Sequence, residues 1–286
     1  MKILVLGAAG QVGSAVAKTT PSRHQIILKT HADLDIGDPL AVERILAEGF
    51  DWIINAAAYT AVDLAEERCA EAIAVNDTAV GVLAQAAARA GCRLLHLSTD
   101  FVFDGRSPRA YVPSDPTNPL GIYGVSKLGG ERRALSGGPN VVLRTSWVYA
   151  AQGRNFALTM LRLMRERETV SVVCDQIGSP TWATSLARAI WGLIDVDAPA
   201  GIYHWADLGV GSWYDFAVAI QEEALERGLL TRAGTVLPIA TSAYPTRAQR
   251  PAFSVLDTET TRALIATPAY HWRHSLRMML DELRAA

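Results

Sequence analysis

Short runs of consecutive apolar residues recur through the first half of the chain. Each is only four or five residues long, so each predicts a strand buried on both faces rather than a helix. The runs are 2–6, 25–28, 52–56, 94–98 and 141–145. The segments between them have helical patterning; they are 12–18, 39–47, 70–90 and 123–134. This alternation predicts an α/β fold with a doubly wound parallel sheet.

The second half of the chain is less regular and predicts a smaller domain packed on the first. Helices are expected at 155–167, 181–194, 213–227 and 275–284, and strands at 170–174 and 201–205. Asp38, before Pro39, and Ser212 are the predicted helix caps. The predicted organisation is one domain at 1–150 and a second mainly at 151–286, with some segments of the second returning to the sheet of the first.

Composition and charge exclude several classes of protein. Of 286 residues, 50% are hydrophobic and 20% are charged, which is not the composition of a disordered chain. The 27 basic and 29 acidic residues give a formal charge of −2 without a basic cluster, so no nucleic-acid partner is expected. No apolar stretch reaches the roughly 18 residues of a membrane span, so no membrane association is expected.

The first residues and the cysteines bear on the compartment. Lys2 and the apolar stretch after it resemble a secretory signal, but glycines interrupt the stretch. Cys69, Cys92 and Cys174 are widely spaced and form neither a metal-ligand spacing nor a disulfide framework. We therefore expect a cytoplasmic protein without a metal site.

Three glycines follow the first predicted strand and open the first predicted helix. Gly7 permits a tight turn, Gly10 lets a pyrophosphate approach the backbone, and Gly13 lets helix and strand pack closely. The helix that starts at Gln11 and Val12 then offers N–H groups to the phosphates. An ordinary glycine turn is the alternative, but the position directly after a buried strand favours a Rossmann-type dinucleotide site.

The end of the second predicted strand bears on the choice of cofactor. A carboxylate at this point would bind the ribose 2′-hydroxyl of NAD. The strand ends instead with Lys29 and His31, and Asp35 follows only later. The two basic residues either face a 2′-phosphate or are solvated at the surface. NADPH is therefore favoured, and NADH stays an alternative.

Tyr123 and Lys127 lie four residues apart in a predicted helix and therefore share one face. Lys127 is one of only four lysines in the chain, and its ammonium is expected to lower the pKa of the Tyr123 phenol towards the range of a proton donor. Thr99, at the end of the preceding strand, adds a hydroxyl at the same edge. Such a pair also occurs by chance at surfaces, but the glycine-turn setting favours catalysis.

Longer segments resemble a known family. The sequence is similar, nearly end to end, to the extended short-chain dehydrogenase/reductases, and among them to the dTDP-4-dehydrorhamnose reductase family. The matching segments are GAAGQVG at 7–13, INAAAYTAVDLAE at 54–66, STDFVFDG at 98–105, YGVSKLGGE at 123–131, RTSWVYA at 144–150, NFALTMLRL at 155–163, DQIGSPT at 175–181 and YPTRAQRPAFSVLDT at 244–258. The resemblance implies a Rossmann-type fold with a smaller C-terminal substrate domain, and NADPH-dependent reduction of a dTDP-linked 4-keto-6-deoxy sugar.

The resemblance also implies roles for single residues. Tyr123 would donate the proton, Lys127 would assist it and contact the nicotinamide ribose, and Thr99 would bind the substrate carbonyl. Besides this pair, the implied cofactor residues are Gly7, Gly10, Gln11, Val12, Gly13, Lys29, Asp35, Ile36, Ala58, Tyr59, Thr60 and Leu97. The implied substrate residues are Val62, Thr99, Asp100, Trp147 and Arg250. Trp147 could instead be a core aromatic residue and Arg250 a surface residue.

The chain departs from the family pattern at three positions. Phe101 stands where the family usually has Tyr, Phe253 where it usually has Asn, and Lys29 where relatives carry an acidic residue. The first two leave the exact sugar nucleotide open, and the third bears on the cofactor. Some relatives hold a metal at a dimer interface; a homodimer is an open expectation here, and no residue suggests a metal ligand.

Two other functions fit the same fold. One is a sugar-nucleotide dehydratase or epimerase, but dehydratases follow the threonine with an Asp-Glu pair, and this chain has Asp100 and Phe101 there. The other is a non-catalytic regulatory subunit that binds a dinucleotide. The complete set of Tyr123, Lys127 and Thr99 favours an enzyme over both.

Overall fold

The computed structural model describes residues 1–285. Its strands are β1 (Lys2–Leu6), β2 (Gln25–Lys29), β3 (Trp52–Asn55), β4 (Arg93–Thr99), β5 (Val141–Thr145), β6 (Val148–Tyr149), β7 (Thr169–Val173), β8 (Ile177–Gly178), β9 (Thr181–Trp182), β10 (Gly201–His204), β11 (Gly211–Ser212) and β12 (Thr235–Ile239). Its helices are α1 (Gln11–Lys18), α2 (Pro39–Leu46), α3 (Val62–Ala65), α4 (Cys69–Ile73), α5 (Ala79–Ala90), α6 (Ile122–Ser136), α7 (Phe156–Glu166), α8 (Ala183–Asp195), α9 (Trp213–Glu226), α10 (Glu259–Leu264) and α11 (Trp272–Ala285). A π-helical segment, Ala74–Thr78, joins α4 to α5.

Six parallel strands form the central sheet, in the order β10-β5-β4-β3-β1-β2. The chain winds in one direction from β1 to β2 and in the other from β3 to β10, so the order reverses between β1 and β3. In open α/β sheets, ligands bind beyond the carboxyl ends of the strands at such a reversal. The topology therefore places a binding crevice above β1 and β3.

Helices cover both faces of this sheet. On one face, Ile3 and Val5 of β1 belong to a core that includes residues of α1 and α8. On the other, Leu4 and Leu6 belong to a core that includes residues of α2 and α5. Because both faces are covered, the strands consist of consecutive apolar residues. The predicted doubly wound α/β fold is confirmed.

The chain leaves the central sheet after β5 and later returns to it. The returning elements are α8, which packs against α1, and β10, which pairs with β5. A smaller lobe is built from α7, α9 and α11 with the parallel strand pair β7–β12, and its core contains Met160, Phe216 and Leu276. The two lobes are thus linked by several passages of the chain.

Some elements differ from the sequence prediction. The strand expected at 25–28 to be buried on both faces is β2, the edge of the sheet, and Leu28 is 43% exposed. The helix expected at 70–90 contains the π-helical segment. Residues 181–182 form β9, paired with β6, before α8 begins at Ala183. Strand β12 was not predicted, because Pro238 interrupts a run that is mostly exposed.

Both predicted helix caps are confirmed. The carboxylate of Asp38 accepts hydrogen bonds from the N–H groups of Leu40 and Ala41 at 2.9 and 3.2 Å. Ser212 forms a capping box with Asp215 at the start of α9. None of the helices within residues 1–285 is both long enough and apolar enough to span a membrane.

Replacing Asp38 by alanine should lower the free energy of unfolding by about 1 kcal/mol, because two N–H groups of α2 lose their acceptor. Equilibrium denaturation in urea measures this change. Asp38→Asn retains a side-chain acceptor and should unfold close to the wild-type midpoint. If both variants unfold at the same denaturant concentration, the cap does not contribute as described.

Candidate active site

The turn between β1 and α1 requires glycine at two positions. Gly7 has a left-handed φ of +75°, and a Cβ there would lie 2.6 Å from the backbone nitrogen of Ala57. A Cβ at Gly13 would overlap the backbone of Gly7 and Ala8. The N-cap residue of α1 is Gly10, and no side chain within residues 1–285 caps this helix start. The first N–H groups of α1 are therefore open to an anionic group.

A cavity of about 600 Å³ lies beside this turn, above the carboxyl ends of β1 and β3. The predicted cofactor residues that line it are Gly7, Gly10, Lys29, Asp35, Ile36, Ala58 and Tyr59. Gln11 and Val12 begin α1, and Gly13 packs on the turn. Thr60 is exposed beyond the lining residues, and Leu97 lies across the sheet in β4. The glycine cradle and the volume fit a dinucleotide.

The outer rim of this cavity carries both basic and acidic side chains. Lys29, Thr30 and His31 line it at the end of β2 and directly after it. The carboxylate of Asp33 accepts hydrogen bonds from the N–H and hydroxyl of Thr30 at 2.8 and 2.7 Å, and this hydroxyl in particular lowers the pKa of Asp33. Asp35 accepts from the N–H of Gly37 at 2.8 Å. Both carboxylates thus stabilise the loop after β2, at a rim that carries the Lys29 ammonium.

The π-helical segment supports the inner rim of the cavity. Its Asn76 side chain is buried and holds Tyr59 by both backbone groups, accepting from the N–H at 2.9 Å and donating to the carbonyl at 3.0 Å. The same amide donates to the Ser126 hydroxyl at 3.1 Å. Since π-helical turns often occur at functional sites, this one is consistent with a role in shaping the cavity.

The candidate catalytic residues meet at the carboxyl end of β4. The Thr99 hydroxyl donates to the Asp100 carboxylate at 3.1 Å and accepts from the N–H of Phe101 at 3.2 Å. The Tyr123 ring, on α6, packs edge-on against the Phe101 ring at 5.5 Å between centroids. At Gly124 the helix contacts the Phe101 carbonyl so closely that a Cβ would clash. The small residue therefore brings Tyr123 to the end of β4.

Lys127 lies deeper on the same helix and is only 3% exposed. Its ammonium donates to the carbonyl of Leu97 at 2.6 Å. Burial lowers the pKa of Lys127 to about 8, although the Glu131 carboxylate acts in the opposite direction. At neutral pH most of the Lys127 side chains are therefore charged.

The expectation that Lys127 lowers the pKa of Tyr123 is wrong. Burial raises the pKa of the phenol to about 12, with the Thr99 hydroxyl acting to lower it and the Asp100 carboxylate to raise it. The Lys127 ammonium instead bonds to Leu97, so the cost of burying a phenolate prevails. Tyr123 consequently keeps its proton at neutral pH.

A buried ion pair lies along α6, next to Lys127. The guanidinium of Arg144 donates to the Glu131 carboxylate at 2.8 and 2.7 Å, and both side chains are 2% exposed. The Ser98 hydroxyl also donates to Glu131, at 2.6 Å. Neither charged residue was predicted as part of the site. The available signals were an arginine inside an apolar strand and a glutamate four residues after Lys127.

Asp100 is buried directly beside Thr99, with 2% exposure. Burial raises the pKa of its carboxyl to about 6, while hydrogen bonds, including that from Thr99, oppose the shift. At neutral pH the group is mainly a carboxylate. The structure places Asp100 with Thr99 and Tyr123 at the end of β4, whereas the sequence predicted only Thr99 at the same edge as Tyr123 and Lys127.

A second cavity, of about 690 Å³, lies in the smaller lobe. Its lining includes Phe156 and Trp213 at the starts of α7 and α9, and Arg250. The Arg250 guanidinium pairs with the Asp63 carboxylate at 2.7 Å, and Asp63 directly follows Val62 in α3. Arg250 is therefore held between the lobes by a carboxylate of the first, rather than solvated alone.

Trp147 stands where the chain passes from β5 to β6 and is half-buried. Its φ is +46°, in the left-handed region. Its indole stacks on that of Trp213 at 3.5 Å between centroids, with 5° between the ring planes. Trp147 is therefore packed against the smaller lobe without being part of a fully buried core.

The described residues 1–285 contain no group of three or more His, Cys, Asp or Glu side chains placed to hold a metal ion. Cys69, Cys92 and Cys174 are free thiols. Burial raises the pKa of the Cys92 thiol to about 11, which makes it a poor nucleophile at neutral pH.

Comparison with known proteins gives consistent results. The family model for the RmlD substrate binding domain matches residues 1–285. A dTDP-4-dehydrorhamnose reductase of Burkholderia thailandensis is 42% identical, over 99% of this chain and 99% of the relative. One from Mycobacterium tuberculosis strain H37Rv is 40% identical, over 98% of this chain and 92% of the relative.

Solved structures of dTDP-4-dehydrorhamnose reductases superpose closely on this chain. A dTDP-4-dehydrorhamnose reductase from Clostridium acetobutylicum superposes with a TM-score of 0.93 at 36% identity, covering 99% of this chain and 100% of the other. One from Bacillus anthracis, in complex with NADP, gives 0.92 at 33%, covering 98% and 99%. A UDP-glucose 4-epimerase from Thermus thermophilus, at 20% identity, shares the fold alone. This chain therefore belongs to the dTDP-4-dehydrorhamnose reductase family.

Proposed function

We propose that this protein reduces the 4-keto group of dTDP-4-dehydrorhamnose to give dTDP-rhamnose, with NADPH as reductant. The observation that carries the proposal is the position of the Tyr123 phenol beside the Thr99 hydroxyl, at the sheet edge that also holds the glycine turn. The relatives named as dTDP-4-dehydrorhamnose reductases support the substrate, and the Bacillus anthracis enzyme in complex with NADP supports the cofactor.

The glycine turn and the start of α1 fit the pyrophosphate of NADPH. Gly7 and Gly10 leave backbone free of side chains, and Gln11 and Val12 begin the helix whose N-terminus attracts the phosphates. The remaining implied cofactor residues are Gly13, Lys29, Asp35, Ile36, Ala58, Tyr59, Thr60 and Leu97. When bound, NADPH supplies the hydride that adds to C4 of the sugar.

Tyr123 donates its proton to the carbonyl oxygen. The raised pKa means that the phenol is protonated when the substrate arrives. Lys127, whose ammonium is fixed by the Leu97 carbonyl, assists by holding a positive charge one helical turn from Tyr123, without lowering the pKa of the phenol in this structure. We also assign this ammonium to the hydroxyls of the nicotinamide ribose, the second role that the family resemblance implies for Lys127.

Thr99 orients the carbonyl. In this structure the hydroxyl proton points to Asp100. In the proposed mechanism, the proton turns towards the substrate oxygen when the sugar binds. The N–H of Phe101 continues to hold the Thr99 oxygen during this rotation. A second donor on the carbonyl oxygen makes C4 a better electrophile.

Val62, Asp100 and Trp147 bind the sugar, and Arg250 binds the diphosphate. Arg250 is preorganised, because Asp63 already fixes its guanidinium at the edge of the second cavity. That cavity lies in the smaller lobe and is large enough for a nucleotide. We accordingly assign dinucleotide binding to residues 1–150 and substrate binding mainly to 151–286.

The proposed location is the cytoplasm, because free thiols are typical of a reducing compartment. The proposed assembly is a homodimer.

The function is tested by following the absorbance of NADPH with a dTDP-4-keto-6-deoxyhexose as oxidant. Stoichiometric loss of NADPH with formation of the sugar alcohol is expected. An epimerase or dehydratase would convert the sugar nucleotide without consuming added NADPH, and a regulatory subunit would bind the dinucleotide without turnover. Either result overturns the proposal.

Tyr123→Phe should lower kcat by about 10²–10⁴-fold, because only the proton donor is lost. The dissociation constant of NADPH should stay near the wild-type value, and fluorescence titration measures it. Tyr203→Phe is the control, since that hydroxyl donates to the Pro199 carbonyl at another site. Retention of more than about a tenth of the turnover by Tyr123→Phe would rule out its role as general acid.

The pH profile should report the charge on Lys127. Because the pKa of Lys127 is lowered to about 8, its charged form prevails below that pH and is lost above it, so kcat/KM for NADPH should decline above pH 8. The phenol titrates only near 12 and does not cause this decline.

Lys127→Ala should weaken NADPH binding, lower kcat and abolish the decline near pH 8. Lys127→Arg should restore little, because a planar guanidinium does not fit the point occupied by a compact ammonium. The measurement is kcat and kcat/KM for NADPH of each Lys127 variant as a function of pH. A decline that persists in the alanine variant would assign it to another group.

Lys29→Asp should reduce the preference for NADPH over NADH by roughly tenfold or more, since a carboxylate replaces an ammonium at the rim of the cavity. The measurement is the ratio of kcat/KM values for the two cofactors. Lys18→Asp is a matched charge reversal on α1, where Lys18 pairs with Glu282. Equal ratios in wild type, Lys29→Asp and Lys18→Asp would remove Lys29 from cofactor selection.

A further inference from the structure

Trp147 has a backbone conformation that large side chains rarely adopt. Its φ of +46° lies in the left-handed region. Such residues persist only where the surrounding structure holds them, and they cluster at functional sites. Trp147 directly precedes β6, at the passage from the central sheet to the smaller lobe. Contacts from the smaller lobe must therefore hold it in place.

Two contacts from the smaller lobe define the position of the Trp147 indole. Its face lies on the indole of Trp213, at 3.5 Å and 5°. Its edge lies over Gly178, where an added Cβ would be 2.6 Å from the ring. Gly178 pairs with Gly211 in the β8–β11 ribbon. A side chain at Gly178 would displace the indole of Trp147, whereas one at Gly211 would meet Asp215 and Trp272 instead.

Trp213 is itself rigidly placed. It is the first residue of α9, directly after Ser212, whose capping box with Asp215 fixes this helix start. Its ring also packs against Phe156, at 4.7 Å between centroids. Phe216 anchors α9 in the core of the smaller lobe, so Trp213 has contacts of its own besides that with Trp147.

Trp213 also faces the second cavity. Trp213, Phe156 and Arg250 are among its lining residues, whereas Trp147 is not. The indole of Trp213 therefore lies between this cavity and the indole of Trp147.

We propose that Trp213 is a positioning residue that holds the indole of Trp147 in the orientation needed to bind the sugar. This inference rests on the proposed function, in which Trp147 contacts the sugar, and adds the residue through which the smaller lobe controls that contact. Trp213 acts through Trp147, so its effect should vanish once the Trp147 ring has been removed.

A double-mutant cycle tests this dependence. Trp147→Leu and Trp213→Leu should each lower kcat/KM for the keto sugar nucleotide by about 10- to 100-fold, mainly through a higher KM. The double variant should match Trp147→Leu alone. Trp213→Phe retains an aromatic ring that can stack, so its kcat/KM should lie closer to the wild-type value than that of Trp213→Leu. The NADPH dissociation constant should be unchanged in all four proteins.

Circular dichroism reports whether the two indoles are stacked, and a variant that loses the couplet but keeps the helical signal has lost the stack and not its fold. Two stacked indoles give an exciton couplet in the far ultraviolet, which should disappear in Trp213→Phe and Trp147→Leu alike. Trp191→Phe is the matched control, because Trp191 stacks on His24 beneath the central sheet; its couplet and kinetics should equal those of the wild type. If Trp213→Leu does not fold, Gly178→Ala displaces the same indole from its other side and should raise KM similarly.

The outcomes separate the two proposals. Additive losses in the double variant, with an active wild type, would overturn the inference alone, because Trp213 would then act independently of Trp147. An unchanged couplet in Trp213→Phe would also overturn it. A wild type that does not oxidise NADPH with the keto sugar overturns the proposed function and, with it, this inference.

Discussion

Glu131 and Arg144 are opposite charges that have almost no contact with water, and the geometry of the catalytic residues depends on their pairing. Removing one member of such a buried pair typically costs about 3–5 kcal/mol, because the other charge is left without compensation. Glu131 also accepts a hydrogen bond from the Ser98 hydroxyl and favours the charged form of Lys127. The pair therefore joins β4, β5 and α6 at the level of Thr99 by electrostatic contacts, in addition to the packing of Tyr123 on Phe101.

The sequence predicted those elements whose burial follows from their own composition. Residues 141–145 are apolar enough to require cover on both faces, and β5 has these bounds. Residues 25–28 have a similar composition, but their position at the edge of the sheet depends on strand order, which local sequence does not encode. The π-helical segment escaped prediction for a related reason, since Asn76 gains its partners from Tyr59 and Ser126, distant in sequence.

The candidate site was predictable where its chemistry follows from spacing. The glycine turn and the helical interval from Tyr123 to Lys127 are local patterns with a direct physical meaning. The direction of the Tyr123 pKa shift was not predictable, because it depends on burial and on Lys127 bonding to Leu97 rather than to the phenol. Trp213 was also missed as a partner of Trp147, since nothing local relates two tryptophans so far apart along the chain.

The return of α8 and β10 to the central sheet has a consequence for the synthesis of the protein. The core beneath β1 includes Leu186, Ile190 and Trp205, so a nascent chain ending near residue 150 has none of these side chains to cover that face. It also leaves β5 as an exposed edge, which invites pairing with other chains. The central sheet is therefore complete only after β10, up to His204, has left the ribosome, and until then an apolar face and a strand edge of the nascent chain are open to aggregation.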